Sequence, residues 1–193
     1  MLSFSFNFRA RTWSTTDRLI FRAFTAFVFW AVALYSMAYS DWFIQHAVNP
    51  LATSQASLID SVLRGLGFAT EKAGAVIRYQ HFSMEMYYKC TGIYQGAGLA
   101  AAILAFPVAV RTKMYGLFFC LAALSAINLF RIISIFYAGV YFPQFVGFFH
   151  AVFWEGMMIV LALFLWLVWA SRVKKRISRP GSRAVATAPN LDR

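Results

Sequence analysis

The sequence predicts an all-α polytopic membrane protein of about four transmembrane helices. Both termini are expected in the cytoplasm (N-in/C-in), and one large extracytoplasmic loop has an amphipathic helix and room for a short β-hairpin. Composition is the first observation behind this reading: 61% of the 193 residues are hydrophobic, only 13% are charged, and Phe alone occurs 21 times, which is not the make-up of a soluble domain. The second is four apolar runs, at about 19–40, 93–110, 114–136 and 149–170, each near the roughly 20 residues that cross a hydrocarbon core of about 30 Å. The third is charge placement. Of 18 Lys and Arg residues, four lie in 1–22, two in 111–113 and seven in 172–193. Four crossings put those segments on one side, and the positive-inside rule makes that side the cytoplasm. The net charge of +11 is therefore a membrane signature, and no nucleic acid is expected as a partner.

Residues 1–18 form a short basic lead. The run over 19–40 is too long for the apolar region of a cleaved signal and has no convincing A-x-A cleavage site, so it is expected to stay as an anchor helix. The outer loop, 41–89, holds four basic and four acidic residues that cancel. Within it, "SLIDSVLRGLGF" sets Leu58, Ile59, Val62, Leu63 and Leu66 at helical spacing, with Asp60, Ser61 and Arg64 elsewhere on the wheel. That pattern predicts an amphipathic helix on the membrane or over the bundle. After Gly74, "HFSMEMYY" alternates with a period of two, which predicts a strand running into Lys89 and Cys90 and paired in a hairpin with "AVIRYQ".

The run over 93–110 is the shortest and carries Pro107 near its inner end, a kink that neighbouring helices can accommodate. The next, 114–136, rises outward, and 149–170 returns. Trp42 at the outer end of the first helix and Trp166 and Trp169 at the inner end of the last suit aromatic belts. The tail, 171–193, is polar with Pro and Gly, and is expected to be disordered. Its basic run reads as a topology signal and a contact for anionic membrane lipid. Residues 19–170 thus make one membrane-embedded domain.

Ionisable groups inside apolar runs are costly, about 2.5–3.5 kcal/mol for a mid-helix Arg on insertion scales, so they point to function. In "SAINLFRIIS", Asn128 and Arg131 share a face at a spacing of three, and Ser125 and Ser134 extend the stripe. Arg131 lies about a turn below the outer surface, where it either anchors the helix to headgroups or serves a site. His150 opens the last run and Cys90 precedes the second, so three helices bring Cys90, Arg131 and His150 to one depth on the outer side. Each alone has a plain reading as packing or surface; their shared depth favours chemistry. Helix starts favour thiolate and neutral imidazole, a neutral His beside Cys activates a nucleophile, and Arg offers a fork of donors to a developing oxyanion.

A disulfide from Cys90 would need Cys120, the other cysteine, roughly 20 Å deeper against a Cα limit near 7 Å. Cys120 is expected to be packing. His46 and His81 are scattered on the loop, so no metal or cofactor is expected. Glu155 lies at a different angle on the wheel from His150, and three states stay open for it: paired with Arg22, paired with Arg131, or protonated.

"CTGI" at the outer end of one helix, "NLFRI" late in the next and His150 opening the last together resemble the exosortase/archaeosortase family of membrane-embedded, sortase-like cysteine enzymes. The likeness covers roughly residues 63–170, and "AAILAFPVAVRTKMYG", "INLFRIISIFYAG" and "FFHAVFW" look most like the short, exosortase H type. The resemblance implies Cys90 as nucleophile, Arg131 as transition-state stabiliser and His150 as acid/base. Thr91 stands where the family often has Ser or Asn, and with Gly92 it keeps the small-polar-then-glycine turn; Asn128 would support Arg131 at the oxyanion. The implied activity is a cysteine protease or transpeptidase at the outer face of a bacterial inner membrane. It would cut C-terminal sorting signals (short motif, transmembrane helix, basic cluster) of exported proteins through a thioester. The small-residue face Gly96, Gly98 and 100–102 is where a substrate helix could approach most closely. Further partners implied are exopolysaccharide-export components. The alternative from another class is a non-catalytic scaffold or accessory subunit of exopolysaccharide export, in which the three residues only stabilise the bundle.

Overall fold

A computed structural model describes residues 15–177. Most of the expected basic lead (1–14) and most of the expected tail (178–193) lie outside the described residues. The first helix, α1 (Thr15–Ala38), has 24 residues, about 36 Å at 1.5 Å each. Ile20, Phe24 and Phe29 along it are exposed, as expected of a side turned to lipid. Ser40 then restarts the chain: its Oγ accepts from the Phe43 N–H at 3.4 Å, and a π-helical turn over Ile44–Val48 leads into α2 (Asn49–Gly65).

α2 begins eight residues before the stretch that predicted it, because Pro50 sits in its first turn, where a missing N–H costs nothing. Its buried stripe is Ala52, Ala56, Ile59 and Leu63. Leu58 and Leu66, expected on the apolar face, are exposed. Asp60, expected to face outward, is buried instead. Its carboxylate accepts from Thr70 Oγ1 at 2.6 Å and pairs with Arg64 Nε at 3.1 Å, which compensates its desolvation.

Three short antiparallel strands follow, β1 (Glu71–Ala73), β2 (Val76–Tyr79) and β3 (Phe82–Glu85), in the order β1-β2-β3. The expected hairpin is β2 with β3, in a register that sets Val76 opposite Glu85 and Tyr79 opposite Phe82. β1 adds a strand that the alternation did not announce, so the protein is mostly helical rather than all-α. The strand also stops short of Cys90. β2 begins at Val76, so beyond Glu85 the pairing extends by one bond, from the Met86 N–H to the Ala75 carbonyl at 2.8 Å.

α3 (Ile93–Ala105) has 13 residues, about 20 Å, well short of the expected 93–110. Phe106 takes an extended conformation (φ −68°, ψ 131°), as the residue before a proline should, and Pro107 stops the helix. Lys113 Nζ donates to the Leu104 carbonyl at this end. α4 (Val110–Tyr141) has 32 residues, about 48 Å, and overruns the expected 114–136 at both ends. Its outer turns therefore extend past the bundle as a post for the sheet, and Gly139 lets the Phe82 ring lie against the helix backbone.

Phe142 (φ −138°, ψ 59°) breaks α4. From Pro143 the chain is helical again, through a 3₁₀ turn, a short α turn and a π turn over Phe149–Phe153, into α5 (Trp154–Ile177). Three helical stretches are long and apolar enough to cross a membrane, Thr16–Ala38, Val110–Tyr141 and Pro143–Lys175. Trp166 and Trp169 differ from the expected belt: their rings turn inward onto Phe106, at 6.1 and 5.4 Å between centroids. Two apolar cores result. An outer one joins α2, Ile77, Met86, Ile132 and Phe136; an inner one joins Leu99, Ile103, Cys120, Leu124 and Met158.

Candidate active site

Cys90 lies in a 3₁₀ turn, Tyr88–Thr91, between the sheet and α3. Four hydrogen bonds hold that turn. The Cys90 N–H donates to the Tyr87 carbonyl at 2.8 Å, and Thr91 Oγ1 to the Tyr88 carbonyl at 2.7 Å. Gln55 Nε2 of α2 donates to the Thr91 carbonyl at 3.2 Å, and Asn128 Nδ2 of α4 to the Cys90 carbonyl at 2.8 Å. The turn exits through Gly92 at φ +77°, a left-handed conformation that glycine adopts without steric cost. A Cβ there would stand 3.2 Å from Asn128 Cγ. Gly92 and Asn128 thus fit each other as well as the turn.

Across from this turn, Cys90 Sγ is 3.7 Å from His150 Nε2, within reach of a thiol–imidazole hydrogen bond. The 3₁₀ turn and the π turn bring these two side chains face to face, so the closeness expected from the sequence is a lateral contact. His150 is not at a helix start, however. The helix begins at Pro143, and His150 is the second residue of the π turn Phe149–Phe153. The expected influence of a free N-terminus on its imidazole does not apply, because the apolar run Phe148–Phe149 hides a helix that starts two turns earlier.

Arg131 does not reach up to headgroups. It is 4% exposed, and its Nε and Nη1 are buried with no hydrogen-bond partner. Buried donors left unmade are costly, and here two of them belong to one planar guanidinium fork. Asn128, 1% exposed, was expected to share the oxyanion with Arg131; its amide N–H₂ is instead engaged by the Cys90 carbonyl. It is a positioning residue. Of the expected polar stripe, Ser134 donates to the Arg131 carbonyl at 2.7 Å, whereas Ser125 is exposed.

Cys120 packs in the inner core, and both cysteines are free. Gln55 escaped the sequence reading, although it shares a helix face with Ala52, Ala56 and Ile59, and that spacing was the available signal. Glu155, expected to be buried, is exposed on the wall of a groove of about 760 Å³ between α1, α3 and α5. The groove runs from Tyr39 and Lys89 to Ala23 and Trp166, so it opens one residue from Cys90. The small-residue face divides: Gly98 and Ala102 line this groove, Gly96 and Ala100 line a smaller cavity of about 290 Å³, and Ala101 is fully buried. Among the described residues no cluster of His, Cys, Asp or Glu could hold a metal ion. No protein-family model, curated protein or solved structure matches the chain.

Proposed function

We propose that the chain is a membrane-embedded, sortase-like cysteine peptidase or transpeptidase of the exosortase type, acting on the C-terminal sorting helices of exported proteins. The observation that carries this reading is the 3.7 Å contact of Cys90 Sγ with His150 Nε2, together with the buried, partnerless Arg131 donors. That is nucleophile, base and oxyanion donor drawn from three different elements. The thiol proton passes to His150 Nε2, and the thiolate attacks the scissile carbonyl. The Arg131 fork holds the tetrahedral oxyanion, worth about 2.7–4 kcal/mol for one such donor. On collapse His150 returns the proton to the departing amine, leaving a thioester on Cys90. Water or an amine then attacks the thioester, gives its proton to His150, and the thiol is restored.

The site belongs at the outer face of a bacterial inner membrane, with both termini in the cytoplasm. In that arrangement α3 makes the fourth crossing, extended by the turns at its two ends, and the bilayer thins or the helix ends are solvated by neighbours. The groove between α1, α3 and α5 is apolar, is flanked by the small residues Gly98 and Ala102, and suits one substrate helix with its motif presented at the Lys89 end. Complementation in the native host tests the proposal. Cys90→Ala, Arg131→Lys and His150→Ala, each inserted at normal abundance, are expected to leave exported proteins with C-terminal helices unprocessed. Unchanged processing in all three would sink the enzyme reading and leave the scaffold of exopolysaccharide export.

A further inference from the structure

β3 is an outer strand of the sheet, paired on one side by β2, and it is also the strand that leads to the nucleophile. Backbone groups alternate in direction along an antiparallel strand, so a residue whose N–H and C=O face its neighbour is followed by one whose groups face away. The Met86 N–H donates to the Ala75 carbonyl. By that phase Met86, Met84 and Phe82 face β2, whereas Ser83, Glu85 and Tyr87 turn their backbone groups to the open side. All three of these residues are exposed. Among the described residues one of their edge groups has a protein partner: the Tyr87 carbonyl accepts from the Cys90 N–H at 2.8 Å. Tyr87 is still extended, at φ −85° and ψ 157°, so the open edge continues as far as the turn that carries Cys90. An open edge of this kind is a template for another strand.

We infer that this edge binds the extended segment of a substrate that precedes its transmembrane helix, as a strand parallel to β3; the inference rests on the peptidase reading. Direction follows from the groove. It runs along α3 from Lys89 at one end to Trp166 at the other, and the substrate helix in it presents its motif at the Lys89 end. The protein's own chain passes from β3 through the Cys90 turn into α3. A substrate cut at Cys90 with its helix beside α3 follows the same path in the same sense, so the residues before the cut arrive beside β3 and parallel to it. They have to be extended there, because a carbonyl inside a helix is already hydrogen-bonded to the following turn. Parallel pairing then assigns the bonds. One substrate residue donates its N–H to the Ser83 carbonyl and accepts from the Glu85 N–H. The residue two further on donates to the Glu85 carbonyl and accepts from the Tyr87 N–H. The ladder ends there, since the Tyr87 carbonyl is taken by Cys90. Such bonds read backbone, so the partner is recognised as an extended stretch leading into an apolar helix.

The probe is a host protein with a C-terminal helix that accumulates uncleaved in cells carrying Cys90→Ala. If none accumulates, the peptidase reading fails and this inference with it. With Cys90 intact, Glu85→Pro and Tyr87→Pro each delete one edge N–H. Tyr87 already has a φ close to that of proline, and an edge strand tolerates proline where the N–H faces outward. Each variant is compared with Ala at the same position, which keeps the N–H. Cleavage of the probe is expected to be about two- to twelvefold slower with Pro than with Ala, the range for one net hydrogen bond, with equal iodoacetamide labelling of Cys90 within each pair. A second arm leaves the edge backbone unaltered. In the Cys90→Ala chain, Ser83→Cys or Glu85→Cys is oxidised against single cysteines placed along the probe ahead of its helix. The position that crosslinks best is expected to move two residues toward the helix on going from Ser83→Cys to Glu85→Cys, as parallel strands require. Equal cleavage within both pairs, or crosslinking that does not depend on position, would overturn the edge as the binding site. A move of two residues away from the helix would overturn the parallel direction. In both cases Cys90→Ala still blocks cleavage, so the peptidase reading stands apart from the result.

Discussion

Gly92 is the position at which one added methyl group should do the most damage to the site. Its φ of +77° costs an L-residue roughly 1–2 kcal/mol. The added Cβ would also stand 3.2 Å from Asn128 Cγ and 3.4 Å from its Nδ2, the atom that donates to the Cys90 carbonyl. Asn128 is almost wholly buried, so displacing it leaves an unpaired amide inside the protein, at about 1–3 kcal/mol. Gly92→Ala should therefore destabilise by roughly 2–5 kcal/mol, an apparent melting shift on the order of 5–15 °C for a chain of this size. Intrinsic tryptophan fluorescence in detergent micelles reads the shift, and iodoacetamide labelling of Cys90 reads the turn. Gly92→Asn separates the causes, because Asn tolerates a left-handed backbone but brings the same Cβ. It should recover part of the loss, and labelling should stay altered in both variants. A Gly92→Ala protein within 3 °C of the parent, with unchanged labelling, would refute the argument that Gly92 and Asn128 together fix the Cys90 turn.

Two further outcomes follow from burial. Arg131→Met should raise thermal stability by about 1–2 kcal/mol while abolishing substrate processing, because it removes a buried charge whose Nε and Nη1 have no partner and keeps the volume. Loss of stability by a comparable amount would make Arg131 a structural residue. Gly139→Ala should destabilise by about 1–3 kcal/mol, since its Cβ would run into the Phe82 ring and push the sheet off α4. Phe82→Ala in the same chain should relieve most of that cost, measured as a double-mutant coupling, and simple additivity would refute the contact.

The membrane class, the three long helices, the β2–β3 hairpin and the packing of Cys120 were legible because each depends on hydropathy, period or length. What the sequence hid was local phase. The end of α3 at Ala105 depends on how Phe106 answers Pro107. The inward turn of Asp60 depends on Thr70, ten residues away, and no wheel drawn on one helix contains that partner. Gln55 reads as an ordinary polar residue and Asn128 as an oxyanion donor until α2 and α4 close on the Cys90 turn from two sides.

The π turn is the sharpest case, since it changes what the sequence means. A wheel with 100° per residue separates Glu155 from His150, and that separation was the ground for leaving its role open. One extra residue in that turn changes the phase between the residues on either side of it. π turns cost regular hydrogen bonding and are found mostly where function needs them. Here the turn itself carries His150, the base of the candidate dyad, against Cys90. A substitution that restored α-helical phase across Phe149–Phe153, such as deletion of Val152, is therefore expected to leave the helix intact and to separate His150 from Cys90. Cys90 labelling by iodoacetamide and His150 modification by diethylpyrocarbonate should then change together, whereas a purely structural bulge would alter stability and neither readout.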